Sequence, residues 1–137
     1  MRGLAVVMCL IAGSAQAGGM LFDCQMHDSL KRGDWVAQRL LVDLNRSGQA
    51  DVTDSHTVGY TGGPVPLRVG REGDVALLNW TVDIPDDAFV NGKHPLALKT
   101  EVEYRARLNV KTGKITVRAM APGVQDRAAG RCQAQRY

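Results

Sequence analysis

Apolar and charged side chains alternate along residues 98 to 110 with hardly a break. One set is Leu98, Thr100, Val102, Tyr104, Ala106, Leu108 and Val110, and the other is Lys99, Glu101, Glu103, Arg105, Arg107 and Asn109. A repeat of two is typical of a β-strand with one buried and one exposed face. The segment KTGK at 111 to 114 supplies a turn, and the alternation resumes at Ile115, Val117, Ala119 and Ala121. The sequence therefore predicts a β-hairpin.

The same repeat, broken by turn residues, runs through the rest of the chain. Residues 75 to 83 (VALLNWTVD) are typical of a strand, and residues 65 to 69 are its expected partner. Residues 35 to 44 fit a strand and, nearly as well, one face of a helix. Because the turn NRSGQ follows, and Ala50, Val52, Thr57 and Tyr60 then recur at strand-like spacing, a meander is the more consistent interpretation. About seven or eight short strands predict an all-β fold, a small antiparallel barrel or sandwich.

The first 17 residues have the order of a secretory signal peptide. Arg2 precedes an apolar run from Leu4 to Ile11, and Ala15-Gln16-Ala17 offers a cleavage site of the A-x-A type. The run is too short for the roughly 20 residues that a membrane-spanning helix needs. We therefore expect residues 1–17 to be a signal peptide and 18–137 to be one β domain, with no transmembrane segment and a periplasmic or secreted location.

Two cysteines remain beyond the signal, Cys24 and Cys132, one near each end of the domain. An even number of cysteines in an exported protein favours a disulfide. A redox-active pair or a thiolate metal site is less consistent, because there is no C-x-x-C motif and no metal-ligand spacing. The sequence thus predicts that a Cys24–Cys132 disulfide ties the two ends together.

Charge is unevenly distributed along the domain. Residues 18 to 103 contain 8 Lys and Arg against 13 Asp and Glu, whereas residues 104 to 137 contain 8 Lys and Arg against Asp126 alone. Carboxylates on neighbouring strands could neutralise these cations, since exposed cross-strand charge pairs are common. Alternatively, Arg105, Arg107 and Arg118 form a surface that faces an anion.

The expected register of the hairpin bears on that choice. Matching the apolar faces places Val110 opposite Ile115, and hence Arg107 opposite Arg118. Like charges directly across a strand pair are unfavourable, so either a third strand supplies carboxylates or the repulsion is relieved by a ligand.

The motifs of common enzymes are absent from the sequence. There is no G-x-S-x-G motif, and the three histidines share no metal-binding spacing. The acidic runs do not follow the pattern of a calcium loop. Nucleic acid is a poor partner because the net charge is small and aromatic residues are few. We therefore expect no enzyme activity, no metal and no cofactor.

Three resemblances to known families are present. Gly33-Asp34-Trp35 resembles the G-x-W motif that opens lipocalin barrels, where the Trp closes one end under an Arg of the last strand, here Arg127 or Arg131. The block from Tyr104-Arg105-Ala106 through Thr112-Gly113 to Gly130-Arg131-Cys132 is similar to the C-terminal part of small exported bacterial proteins of unassigned function. FDC at 22 to 24 and GRC at 130 to 132 resemble the ends of periplasmic inhibitors of c-type lysozyme, whose Ser/Gly/Tyr loop has an approximate counterpart in SHTVGY at 55 to 60.

Non-catalytic binding is the function that we expect, in one of three forms. A lipocalin-like carrier would hold a small hydrophobic ligand inside the barrel, lined by Trp35, Trp80, Val102, Tyr104 and Val117. An inhibitor or adaptor would bind another exported protein through loops at 55 to 64 and 84 to 97. A structural envelope protein would use the arginine surface to bind an envelope anion, in a salt-sensitive manner.

Overall fold

The computed structural model describes residues 18–29, 35–45, 49–85, 99–122 and 124–137. In chain order the elements are β1 (Met20–Ser29), β2 (Arg39–Leu44), β3 (Ala50–Asp54), α1 (Ser55–Thr61), β4 (Val65–Glu72), β5 (Val75–Pro85), β6 (Lys99–Asn109), β7 (Lys114–Ala121) and β8 (Val124–Arg136). The expected signal peptide, Gly33 and Asp34, and most of the expected loop at 84 to 97 lie outside the described residues.

The eight strands form one closed antiparallel barrel in which each strand pairs with the next in sequence. The barrel closes where β1 pairs with β8 along most of their lengths. The all-β prediction is thereby confirmed, and of the two architectures left open, the barrel is the one observed. Closure leaves no free sheet edge, which is how such folds avoid edge-to-edge association.

The disulfide between Cys24 and Cys132 is present, as expected. The two residues are directly opposite each other on β1 and β8, so the bond fastens the strand pair that closes the barrel. Among the described residues, no helix is long and apolar enough to cross a membrane.

Inward-facing side chains fill the barrel, as expected for one of eight strands. The buried cluster includes the largest side chains, Phe22, Trp80 and Tyr104, together with the small Ala106 and Ala119. Trp80 and Tyr104 are opposite each other on β5 and β6, and their rings stack with centroids 5.2 Å apart. Small residues on the neighbouring strands leave room for these rings, so large and small side chains interdigitate.

Residues 55 to 61 form a helix, so the expected strand spacing of Thr57 and Tyr60 is wrong. The side chain of Asp54 accepts hydrogen bonds from the backbone N–H of His56 and Thr57, both at 2.8 Å, and Thr57 Oγ1 accepts from the backbone N–H of Asp54. This reciprocal capping starts the helix where β3 ends. Similarly, only Arg39–Leu44 of the segment 35 to 44 is a strand.

The hairpin of β6 and β7 exists, but its register differs from the expected one by two residues. Leu108, not Val110, is opposite Ile115. The turn begins one residue earlier than expected, because the side chain of Asn109 accepts from the backbone N–H of Lys111 and Thr112, both at 3.0 Å. Since side chains alternate with a period of two, a shift of two residues keeps the apolar face buried. It does change which arginines face each other.

Candidate anion-binding groove

Three arginines lie directly opposite one another on the exposed face of three adjacent strands. Arg105 of β6 is opposite Arg118 of β7, and Arg118 is opposite Arg127 of β8. We call Arg105, Arg118 and Arg127 the arginine row. Because cross-strand neighbours have Cα atoms about 5 Å apart, the row places three guanidinium groups within reach of one ligand. Like charges in this position destabilise a sheet, so the arrangement needs an explanation beyond packing.

The row continues toward β4 through Asn79. Arg105 is opposite Asn79 of β5, and Asn79 is opposite Arg68 of β4. A second line of outward residues runs parallel to it, two residues along each strand, through Gly70, Leu77, Arg107 and Thr116. The two lines together cross the barrel wall from β4 toward β8.

Both lines border one groove of about 720 Å³ on the outside of the barrel. We call it the arginine groove. Its lining residues are Arg68, Val69, Gly70, Leu77, Leu78, Asn79, Arg105, Ala106, Arg107, Thr116, Val117, Arg118 and Arg127. Arg68 and Arg127 are separated by three strands, and both border this space. The volume is within the range of small-molecule sites.

Carboxylates partly neutralise the groove. Arg105 Nε lies 2.8 Å from Glu103 Oε1, and one terminal nitrogen of Arg107 lies 3.3 Å from Glu72 Oε2. Both pairs are exposed, with the arginine side chains about 60% accessible, so water and salt screen them strongly. Glu103 also accepts from the Asn79 amide at 3.1 Å. The hydrogen bonds from Arg105 and then Asn79 hold the pKa of Glu103 below its ordinary value.

Charge nevertheless remains in excess. Five arginines line the groove and two of them have a glutamate partner, which leaves three positive charges. Within the part of the chain that the structure describes, Arg68, Arg118 and Arg127 have no carboxylate within ion-pairing distance. A planar guanidinium matches phosphate and carboxylate groups with two parallel hydrogen bonds, so the site suits an anion with more than one charge.

The three arginines predicted from the sequence thus lie together in one groove. Sequence reasoning missed Arg68, because it lies on β4, about forty residues away in the chain, and its place opposite Asn79 depends on the register of that hairpin. It also did not place Arg127 on this face. The sequence offers no clear signal there, because three polar residues at 125 to 127 are followed by two alanines, so the pattern around Arg127 does not alternate.

The residues expected to line the interior are placed differently from one another. Trp80, Val102, Tyr104 and Val117 belong to the packed core, each no more than 2% exposed. Trp35 is half-buried, and its carbonyl oxygen accepts from the Tyr104 hydroxyl at 2.7 Å. Burial raises the pKa of this Tyr104 phenol above its ordinary value. Arg127 and Arg131, the counterparts of the lipocalin arginine, lie on the exposed face of β8.

A few buried polar groups lie inside the barrel. Asp126 is 2% exposed, and its Oδ1 accepts from the backbone N–H of Arg127, while Oδ2 has no hydrogen-bond partner among the described residues. The indole N–H of Trp80 is likewise unpaired there. Within the described ranges, no group of three or more His, Cys, Asp or Glu side chains is placed to hold a metal ion.

No family model, curated protein or solved structure matches the chain. The three resemblances noted from the sequence therefore stay predictions, and function has to be argued from the groove itself.

Proposed function

We propose that this protein is an exported, non-catalytic binding protein that holds an anionic ligand in the arginine groove. The observation that carries the proposal is the arginine row, in which Arg118 lies directly between Arg105 and Arg127. An anion bridging the three would convert a repulsive arrangement into charge-assisted hydrogen bonds. The described lining residues of the groove offer cations and hydrogen-bond donors, which suit the binding of an anion.

The exterior of the barrel is favoured over its interior as the binding site. Val102, Tyr104 and Val117, the residues that an interior carrier would need to line a space, pack tightly in the core. The disulfide across the barrel closure fits an oxidising location such as the periplasm or the exterior.

Calorimetric titration with inorganic pyrophosphate at low ionic strength tests the proposal. Arg118→Gln should weaken binding about tenfold, the value of one charge-assisted hydrogen bond. Arg131→Gln is the matched control, because Arg131 is exposed on β8 but does not line the groove. Wild-type protein that fails to bind, or an Arg131 variant that loses as much affinity as the Arg118 variant, would contradict the proposal.

A second candidate is inhibition of a c-type lysozyme, through the segment at 55 to 60. It is favoured by the exposure of Val58 and Tyr60 on α1, 53% and 40% respectively, since exposed aromatic residues are common in protein interfaces. A lysozyme activity assay with the wild type and Tyr60→Ala tests it. Inhibition by the wild type that the variant loses would support this function, and lysozyme activity unchanged by an excess of the wild type would exclude it.

A further inference from the structure

One end of the arginine groove is apolar. Gly70 of β4 and Leu77 of β5 are directly opposite each other on the outer face, and both line the groove. Leu77 is half-buried on this face, and its apolar side chain forms the floor beside the bare backbone of Gly70. A single exposed apolar residue needs no explanation, but here apolar surface lies inside a concave site next to a line of cations.

Gly70 has no side chain and therefore leaves this part of the groove open. Its backbone conformation does not require glycine. The described glycines with positive φ are Gly62, Gly73 and Gly113, so Gly70 has a conformation that other residues adopt. A Cβ atom added at Gly70 would meet the Leu77 side chain at 3.6 Å, an ordinary contact. The pairing of β4 with β5 also continues through Gly70 without a bulge. A glycine within a regular strand often marks a place where a ligand approaches closely.

The apolar end and the arginine row are adjacent. On β5, Leu77 is two residues from Asn79, which is directly opposite Arg105. Two residues along a strand span about 7 Å, so one small molecule reaches from the floor at Leu77 to the guanidinium of Arg105. An inorganic anion would use only the charged part of this surface, and a neutral hydrocarbon only the apolar part.

We propose that the ligand of the groove is an amphiphilic anion, bound as a monomer with its acidic head group on the arginine row and its apolar chain over Gly70 and Leu77. This inference rests on the proposed function, and it adds the chemical class of the ligand. The excess of three positive charges matches a head group with at least two negative charges, such as a phosphate monoester.

Three probes distinguish the contribution of the head group to the affinity from that of the apolar chain, in calorimetric titrations at fixed ionic strength. They are decyl phosphate below its micelle concentration, inorganic phosphate, and decylphosphocholine, which has the same chain but no net charge. Decyl phosphate should bind at least tenfold more tightly than either of the others. Gly70→Val, which fills the apolar end, should bring the affinities for decyl phosphate and inorganic phosphate close to each other.

Thr81→Val is the matched control for Gly70→Val. Thr81 is exposed on the same face of β5 but does not line the groove, so its variant should keep the full preference for decyl phosphate. If Gly70→Val does not fold, Leu77→Asn tests the same contact by making the floor polar, and it should also abolish the preference.

The outcomes distinguish this inference from the proposed function. Equal affinity of the wild type for decyl phosphate and inorganic phosphate would overturn the amphiphile while leaving anion binding intact. No binding of any anion, pyrophosphate included, would overturn both. Decylphosphocholine binding as tightly as decyl phosphate would show chain binding without recognition of charge and would overturn the inference. So would binding to phosphatidylglycerol vesicles without binding to the monomeric probe, which would identify a membrane surface as the partner.

Discussion

Removing the central charge of the arginine row should stabilise the free protein. Arg118 has a like charge directly opposite on each side, Arg105 and Arg127. A cross-strand pair is worth roughly 0.2 to 1 kcal/mol, and with like charges the sign is unfavourable. Both interactions are exposed and screened, and a glutamine keeps most of the aliphatic stem. For Arg118→Gln we therefore expect a gain of about 0.5 kcal/mol in the free energy of unfolding, near the low end of the combined range for two such pairs.

Urea denaturation measures this gain, because urea adds no ionic strength. The gain should shrink in 1 M sodium chloride, where the Debye length falls to about 3 Å. Arg136→Gln serves as the control, since Met20 is the residue opposite Arg136 on β1 and no like charge is relieved. A loss of stability in Arg118→Gln, or a gain that is the same in high salt, would refute the idea that the row stores electrostatic repulsion.

Three further predictions concern the stability of the barrel that carries the groove. Replacing both Cys24 and Cys132 by serine should lower the free energy of unfolding by about 4 to 5 kcal/mol in the chain-entropy model, since the bond closes a loop of 108 residues; a loss under 1 kcal/mol in urea denaturation would contradict this. Gly113→Ala should cost more than about 1 kcal/mol, measured in the same way, because φ is 76° and the new Cβ would press on the Cys132 carbonyl oxygen. Burial raises the pKa of Tyr104 above its ordinary value of 10.0 in the folded protein, because the folded state favours the neutral phenol. The phenol therefore stabilises the fold fully below about pH 10, and this stabilisation is lost as the pH rises further. Urea midpoints should thus fall above that pH, and less steeply in Tyr104→Phe; equal slopes would show that this phenol does not couple to folding.

The alternation of side chains was enough to predict the class of fold. The strict repeat of two along β6 and β7 determines which residues are inside, and Val102, Tyr104 and Val117 are buried as that repeat requires. The cysteine pair likewise predicts that the two ends of the domain are tied together, and in the structure the bond joins the paired strands β1 and β8.

The alternation of apolar and polar residues could not predict the strand register or the local capping interactions. A shift of two residues between β6 and β7 leaves every apolar residue inside, so the alternation cannot distinguish Leu108 from Val110 as the partner of Ile115. The Asn109 side chain, which caps the turn, decides the matter. At α1 the same limit applies, because Thr57 and Asp54 cap each other at a position where the spacing of apolar residues also fits a strand.

Which residues meet in the groove depends on the strand registers, which the alternation does not determine. An excess of arginine in the last third of the chain predicts an anion-facing surface, and the three arginines named for it, Arg105, Arg107 and Arg118, all line the groove. The position of Arg118 opposite Arg105 instead of Arg107 follows from the register. The apolar end at Gly70 and Leu77 follows from pairing between β4 and β5, and neither residue carries a chemical signal in the sequence.

Amide chemical shifts locate the bound ligand residue by residue and so show whether it lies in the groove. Isotope-labelled protein is titrated with decyl phosphate at low ionic strength, and the shift of each backbone amide is followed. If an amphiphilic anion binds in the groove, the largest shifts should lie at Arg105, Arg118 and Arg127 together with Gly70 and Leu77. Shifts concentrated at inward-facing core positions such as Val102, or at exposed cations outside the groove such as Arg39 and Arg131, would contradict it.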